Sequence, residues 1–364
     1  MEIIGQSSVP PILFFTLYGI SGVVPLLAAL YLLLRRANAI APGVTPPLRL
    51  QRWTAAFFGV TTLGHVWWLL LYLCFYDQEA VGVPVLAMVD CVLLFTTFVG
   101  MLQAMLQDRQ RPVWPALVAM IPFVAVTGAY MVYHSSLLQQ VAVIYLVVLG
   151  LLFTTYMVVA IRQYRRWLND NYADLENKRV WLYQAVALVC MLLFILYVFA
   201  TDMVFIWLIH FIELVLVGLM VWRVETLPQL DQPSPNTQDS SPTISNIDVA
   251  QIEQLLKEHC VATQLYLQHD LTLQQLAQKI GTNRYYLSQY FSRQGITYNT
   301  YINNLRINHF ISRYQETAAA GLPFVAQQLA SESGYRSYST FSLAFKQRMG
   351  QSVTAWMHEA EQSE

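Results

Sequence analysis

His65, Asp90, His210 and Glu213 are ionisable side chains set inside long apolar runs. Such placements are costly in a low-dielectric medium and usually mark function. Counted from the ends that face away from the arginine-bearing loops, Asp90 and His210 lie about 12 Å deep and His65 and Glu213 about 16 Å, at about 1.5 Å per helical residue. His210 and Glu213 are three apart and share a helix face. Two imidazoles and two carboxylates at similar depth can take up a polar ligand, a cation or a proton. They can equally satisfy one another in interhelical hydrogen bonds, or fail to converge. Gln103 and Gln184, also within apolar runs, read as packing contacts.

A second group follows residue 270. LTLQQLAQKI carries Leu273, Leu276, Ala277 and Ile280 on one face after Thr272, and Gly281 ends it as a left-handed cap residue would. Thr282 or Asn283 then caps NRYYLSQYFSRQ, whose Leu287, Tyr290 and Phe291 face inward and leave Arg284, Tyr285, Ser288, Gln289 and Ser292 outward. The pattern recurs: a helix over Phe324 to Ser333, Gly334 as the turn, then Ser337 to Arg348 with Phe341, Ala344 and Phe345 inward and Tyr338, Ser339, Ser342, Leu343 and Lys346 outward. A helix from about Tyr298 to Gln315 separates the two pairs. Short helices about a glycine turn, the second with a polar face, are the spacing of a helix-turn-helix.

The elements that must hold these groups divide the chain in two. Of 364 residues, 56% are hydrophobic and 12% charged, and mean hydropathy is +0.42. The apolar excess falls before residue 226, in seven segments: 12–34, 53–76, 83–106, 113–133, 137–161, 180–200 and 203–222. Each approaches the about 20 residues that a bilayer-crossing helix needs. Arginine and lysine gather in alternate loops: Arg35, Arg36, Arg49 and Arg52; Arg109 and Arg111; Arg162, Arg165, Arg166, Lys178 and Arg179; then Arg223. By the positive-inside rule the N-terminus lies outside and the C-terminus in the cytoplasm. No basic stretch precedes the first segment, so no cleaved leader is expected. From Glu225 to Asp248 the chain is polar and proline-bearing, a tether of about 25 Å reach. The expected organisation is a seven-helix membrane part over 1–225, a flexible linker over 226–248 and a soluble part over 249–364, which begins with an amphipathic helix over Val249 to Gln268.

Several chemistries are excluded or unsupported. No lysine precedes Lys178, so no retinal Schiff base can form in the apolar segments. Cys74, Cys91, Cys190 and Cys260 have neither metal-ligand nor disulfide spacing and read as packing residues. No hydrolase, protease or nucleotide-binding motif is present, and neither metal nor cofactor is read from the sequence. Between Leu271 and Met357, eight basic residues stand against Glu316 and Glu332, a net charge of +6 that suits nucleic acid.

The stretch LTLQQLAQKIGTNRYYLSQYF, then NNLRINHF, then QQLASESGYRSYSTFSLAFKQRMGQSVTAWM resembles the DNA-binding domain of AraC-type transcription regulators, over about residues 265 to 358. Gly334-Tyr335, Ser339, Phe341, Phe345-Lys346 and Gly350 carry the most specific part of the likeness. The resemblance implies an all-helical domain whose third and sixth helices enter successive major grooves of double-stranded DNA. On it, Tyr285, Ser288 and Gln289 face bases in the first half and Tyr338, Ser339 and Leu343 in the second, while Arg284, Arg336, Thr340, Ser342 and Lys346 meet phosphates. Leu343 stands where some members carry a base-reading arginine, Val353 where proline is usual, and Phe310 where a small residue is usual. The expected fold is therefore all-α, a polytopic seven-helix transmembrane bundle plus a cytoplasmic double helix-turn-helix domain. The expected function is a one-component transcription regulator of the bacterial inner membrane. Its partners would be double-stranded DNA, the lipid bilayer, RNA polymerase, a second copy of the chain when active, and a signal the sequence does not name. A transporter or channel with a regulatory DNA-binding domain is the alternative.

Overall fold

A computed structural model describes residues 11–74, 79–175, 178, 180–197, 203–230 and 249–362. Fourteen helices and no strand occur among them. The chain forms two compact units, one from residues 1–164 and 177–232, the other from 165–176 and 233–364.

The first unit begins with α1 (Pro11–Leu34), α2 (Leu48–Cys74), α3 (Glu79–Ala104) and α4 (Trp114–Tyr133). α5 (Ser136–Asn171), α6 (Trp181–Tyr197) and α7 (Met203–Thr226) follow. Each of the seven apolar segments thus contains a helix, and α1 to α5 are long and apolar enough to cross a membrane. α1 packs on α2 and α7, α2 on α3, α3 on α4, and α6 on α7.

This unit exposes large apolar side chains on its outer face while burying polar ones among the apolar residues of its interior. Leu27, Leu33, Ile121, Leu151 and Leu152 are each more than half exposed, whereas Ser21, Thr54, Gln103, Gln184 and Glu225 are buried. Tyr145 Oη donates to the Ala119 carbonyl and Gln184 Nε2 to that of Leu102, as residues between apolar helices must.

One end of the unit is tied by ions. Arg35 donates to Glu225 at 2.6 Å, both buried, and Tyr31 Oη and Asn38 add bonds to the same residue. Arg111 grips Asp108 through both guanidinium nitrogens, at 2.6 and 2.9 Å. Gln107 donates to the Pro228 carbonyl and accepts from the Leu230 amide. Residues 225–230, the front of the segment expected to be a tether, are therefore packed; 231–248 lie outside the described residues. α5 also runs to Asn171, so Arg162, Arg165 and Arg166 are helical rather than in a loop. Good helix formers and inward Tyr164 and Leu168 explain the extension.

The second unit begins with α8 (Val249–Leu256), which gives way to a π turn and a 3-10 turn instead of running to Gln268. α9 (Leu273–Lys279) starts with a capping box between Thr272 and Gln275. α10 (Arg284–Arg293) is capped by Asn283, and α11 (Tyr298–Ala319) is longer than the pattern indicated, about 33 Å. α12 (Ala326–Glu332), α13 (Tyr338–Met349), capped by Ser337, and α14 (Val353–Gln362) complete it. Gly281, Gly334 and Gly350 adopt positive φ, as the turn assignments require.

Two aromatic-rich cores lie along α11. Leu273, Leu276, Leu287, Phe291, Tyr298 and Ile302 form the first with Ala173. Ile307, Phe310, Leu329, Phe341, Phe345 and Val353 form the second. Phe310, large where the resemblance favours a small residue, is fully buried 4.5 Å from the Phe341 ring. Cys260 belongs to the first core, and burial pushes its thiol up to about 12, so it stays protonated. Cys91 and Cys260 are free thiols; the side chains of Cys74 and Cys190 lie outside the described residues.

Arg306 stands between the cores, 1% exposed. Its Nε donates to the Tyr266 carbonyl at 2.7 Å and its Nη2 to those of Gln268 and His269. The guanidinium lies 5.5 Å from the Tyr335 ring centroid. Burial lowers its pKa from the ordinary guanidinium value, but a guanidinium remains charged at neutral pH. It is thus not one of the cations available to phosphate. Beside it, a Cβ on Gly334 would stand 2.8 Å from the Leu267 backbone. Arg306→Met takes the guanidinium donors from the Tyr266, Gln268 and His269 carbonyls, of which only Gln268 keeps a backbone donor in the Leu271 amide, and should cost roughly 3 kcal/mol. Gly334→Ala should cost roughly 2 kcal/mol or more through positive φ and overlap. Both costs should appear as lost amide hydrogen-exchange protection in α11 and α13 of the full chain; protection equal to the parent would show these residues to be dispensable.

Candidate functional site

The first candidate is the outward surface of α10 and α13. N-caps at Asn283 and Ser337 start both helices, and Phe291, Phe341 and Phe345 anchor their inner faces. Tyr285, Arg336, Ser339, Leu343 and Lys346 are exposed, and Arg284, Ser288, Gln289, Tyr338, Thr340 and Ser342 are half-buried. Gln289 donates to Tyr285 Oη at 2.7 Å, so the two present one polar platform. Ser337 Oγ pairs with Ser339 and Thr340 hydroxyls. Tyr338 packs against Phe341 with ring centroids 5.7 Å apart, which gives it a core role beside any contact it makes outward.

Several cations here already have partners. Arg336 pairs with Asp270. Arg313 pairs with Glu316 and Glu332, and Arg348 bonds Asn304 and Asn308. Arg284 Nε donates to Asn171 Oδ1 at 2.8 Å, and burial lowers its pKa from the ordinary value. Asn171 belongs to a segment that docks on this unit: Asn299 Nδ2 donates to the Tyr172 and Ala173 carbonyls, Tyr172 bridges Thr272, and Ala173 is buried in the first core. If these arginines meet phosphate as the resemblance implies, they must first give up Asp270 and Asn171 respectively.

The second candidate lies among α1, α2 and α7. One ligand-type atom from each of His65, His210 and Glu213 lies within 4.8 Å of the others. Glu213 Oε2 is 3.7 Å from both His65 Nε2 and His210 Nδ1, and the three side chains are 11 to 17% exposed. Ser21 Oγ is 2.9 Å from His65 Nε2 and 3.1 Å from His210 Nδ1. Tyr18 stacks near both imidazoles and donates its hydroxyl to the His65 carbonyl. Gly22 makes room: a Cβ there would lie 3.2 Å from that of His65. Asp90 stands outside this set. Trp68 Nε1 donates to its Oδ2 at 2.9 Å, and it packs against Gly64 on α2.

Of the four ionisable residues read from the sequence, the helices bring His65, His210 and Glu213 together and leave Asp90 apart, while Ser21 and Tyr18 were not among those named. Ser21, a small polar residue within the run GISG, was the available signal. Asn171, Asp270 and Arg306 were missed because their partners lie 37 to 113 positions away.

Residues 276–359 match a family model described as a helix-turn-helix domain, of the AraC type, which takes in both helix pairs. That family consists of DNA-binding transcription regulators. No curated protein and no solved structure matches the chain.

If the outward residues divide as the resemblance implies, Gln289→Ala should change sequence preference by about 1–3 kcal/mol at one base pair. Arg284→Ala and Lys346→Ala should weaken all duplexes alike and each reduce the salt slope by about 1. Selection of bound sequences and salt titration of duplex binding measure these effects; one identical pattern for all three variants would reject the division of roles.

Proposed function

We propose that this chain is a membrane-tethered one-component transcription regulator of a bacterial inner membrane. On this reading residues 1–225 form a sensing bundle in the bilayer, the tether lies within 226–248, and residues 249–364 bind promoter DNA in the cytoplasm through α10 and α13. The observation that carries it is the coexistence in one chain of helices with leucines outward and polar groups inward and of a double helix-turn-helix matching a DNA-binding family. This placement suits lipid as solvent, where outward apolar surface costs nothing and inward polar groups need partners. Arginines gathered at alternate ends of the apolar helices, some in loops and some in adjoining helical turns, support a cytoplasmic reader.

Two couplings fit this design. A flexible tether passes little torque, so pairing of two bundles would act by raising the local concentration of two readers. The docked segment offers a second route. Residues 165–176 continue α5 in sequence and hold Arg284 through Asn171, so a change at the end of α5 can alter the availability of a phosphate-binding cation.

In spheroplasts, external protease should leave the last hundred or so residues intact, and detergent should be needed to extract the chain. In-cell crosslinking should recover promoter DNA from the membrane fraction. Asn171→Ala should strengthen duplex binding by roughly two- to tenfold, the scale of one charged hydrogen bond set against water. Digestion of the C-terminal part from outside would overturn the topology, and unchanged DNA affinity in Asn171→Ala would remove the second route.

A further inference from the structure

We infer that His65, His210 and Glu213 form a binding site for one divalent first-row transition-metal ion, with Zn2+ the ion its donors fit best. Three features carry the inference.

The donor set comes first. Two imidazole nitrogens and one carboxylate oxygen, with a fourth position left for water or a hydroxyl, are ligands of the kind that hold zinc at an open site. In a tetrahedral zinc site with bonds of about 2.0–2.2 Å, neighbouring ligand atoms stand about 3.3–3.5 Å apart. Glu213 Oε2 is 3.7 Å from each imidazole, so a shift of a few tenths of an ångström brings it to that spacing. The largest separation in the set, 4.8 Å, closes by rotation of the imidazoles.

The second feature is orientation. His65 Nδ1 lies 2.9 Å from the Thr61 carbonyl oxygen, which can only accept, so Nδ1 carries the hydrogen. In the neutral ring, Nε2 then aims its lone pair at Ser21 and Glu213. A backbone carbonyl that fixes the tautomer from behind is the usual support of a metal-binding imidazole.

The third is electrostatic. Glu213 Oε1 is buried without a hydrogen-bond partner, and Oε2 stands beyond hydrogen-bond distance from both imidazoles. The carboxylate thus has a buried oxygen that no hydrogen-bond donor reaches, and a divalent ion would coordinate the group, with a hydroxide in the fourth position to balance the charge. Hard cations are a poorer match, because Ca2+ and Mg2+ favour all-oxygen shells.

That the ion is the regulator's signal rests on the function proposed above; that it binds does not. The test uses the full chain in detergent micelles, stripped with chelator and then equilibrated with Zn2+ or with Co2+ as a coloured reporter of geometry. One ion per chain, with a tetrahedral or five-coordinate Co2+ spectrum that Zn2+ bleaches and Mg2+ does not, supports the site. His65→Gln, His210→Gln and Glu213→Gln should each weaken binding at least about a hundredfold, whereas Asp90→Asn should bind as the parent does. An unchanged thermal transition and monodisperse elution in detergent identify the variants that have folded. Absence of binding by the parent, a response to pH alone, or equal loss in Asp90→Asn overturns the inference. Metal bound with promoter output unchanged supports the site and rejects the sensing role.

Discussion

A single buried guanidinium holds the DNA-binding half of this protein together. Arg306 sits at the middle of α11, where the first aromatic core gives way to the second. The carbonyls of residues 266, 268 and 269 have no helical ladder to satisfy them, because α8 has already dissolved into π and 3-10 turns. Arg306 supplies their donors and lies against Tyr335, which follows the glycine of the second turn. The segment before the first helix pair and the turn of the second are thereby fixed to one side chain. An apolar residue there would fill the volume but take the Arg306 donor from the Tyr266 and His269 carbonyls, a penalty of about 1–3 kcal/mol for each, while Gln268 would keep the Leu271 amide.

The other unit shows leucine, isoleucine and valine on its outward face, and its interior holds Ser21, Thr54, Gln103, Gln184 and Glu225 among buried apolar side chains. Arg35 with Glu225 and Arg111 with Asp108 close one end, where opposed charges share hydrogen bonds with backbone and tyrosine. The imidazole and carboxylate group is different, since its members approach one another without forming direct hydrogen bonds between imidazole and carboxylate. Its carboxylate-to-imidazole distances of 3.7 Å stand against 2.6 Å in the Arg35–Glu225 and Arg111–Asp108 pairs of the same unit.

Local signals made much of this legible. Apolar run length located every apolar helix, and Asn283, Gly281 and Gly334 marked a cap and the turns of both helix pairs, because caps and positive φ are decided within a few residues; Ser337, read as the first helical residue, is the cap of its helix. Inward Leu287, Phe291, Phe341 and Phe345 were likewise readable from spacing. Long-range pairing was not. Arg306 was counted with the surface cations because its carbonyl partners lie some forty positions upstream. Asp90 shares the depth of the histidines but stands apart, since depth fixes height along a helix and not the direction its side chain faces. The end of α5 reads as a charged loop until inward Tyr164 and Leu168 give its helix a buried side.

Ala173 plugs the first core, and Asn299 reaches the carbonyls of residues 172 and 173. The DNA-binding unit is therefore discontinuous in sequence, with a dozen residues borrowed from well before the tether. A fusion or gene rearrangement that cut the chain once, anywhere after residue 232, would carry off a reader with a notch in its core and leave the plug behind. Modular exchange, the ordinary route by which such domains acquire new inputs, would need two crossovers or a donor whose own loop offers a small residue at the same place. The interleaving makes inheritance of the two halves mutually dependent.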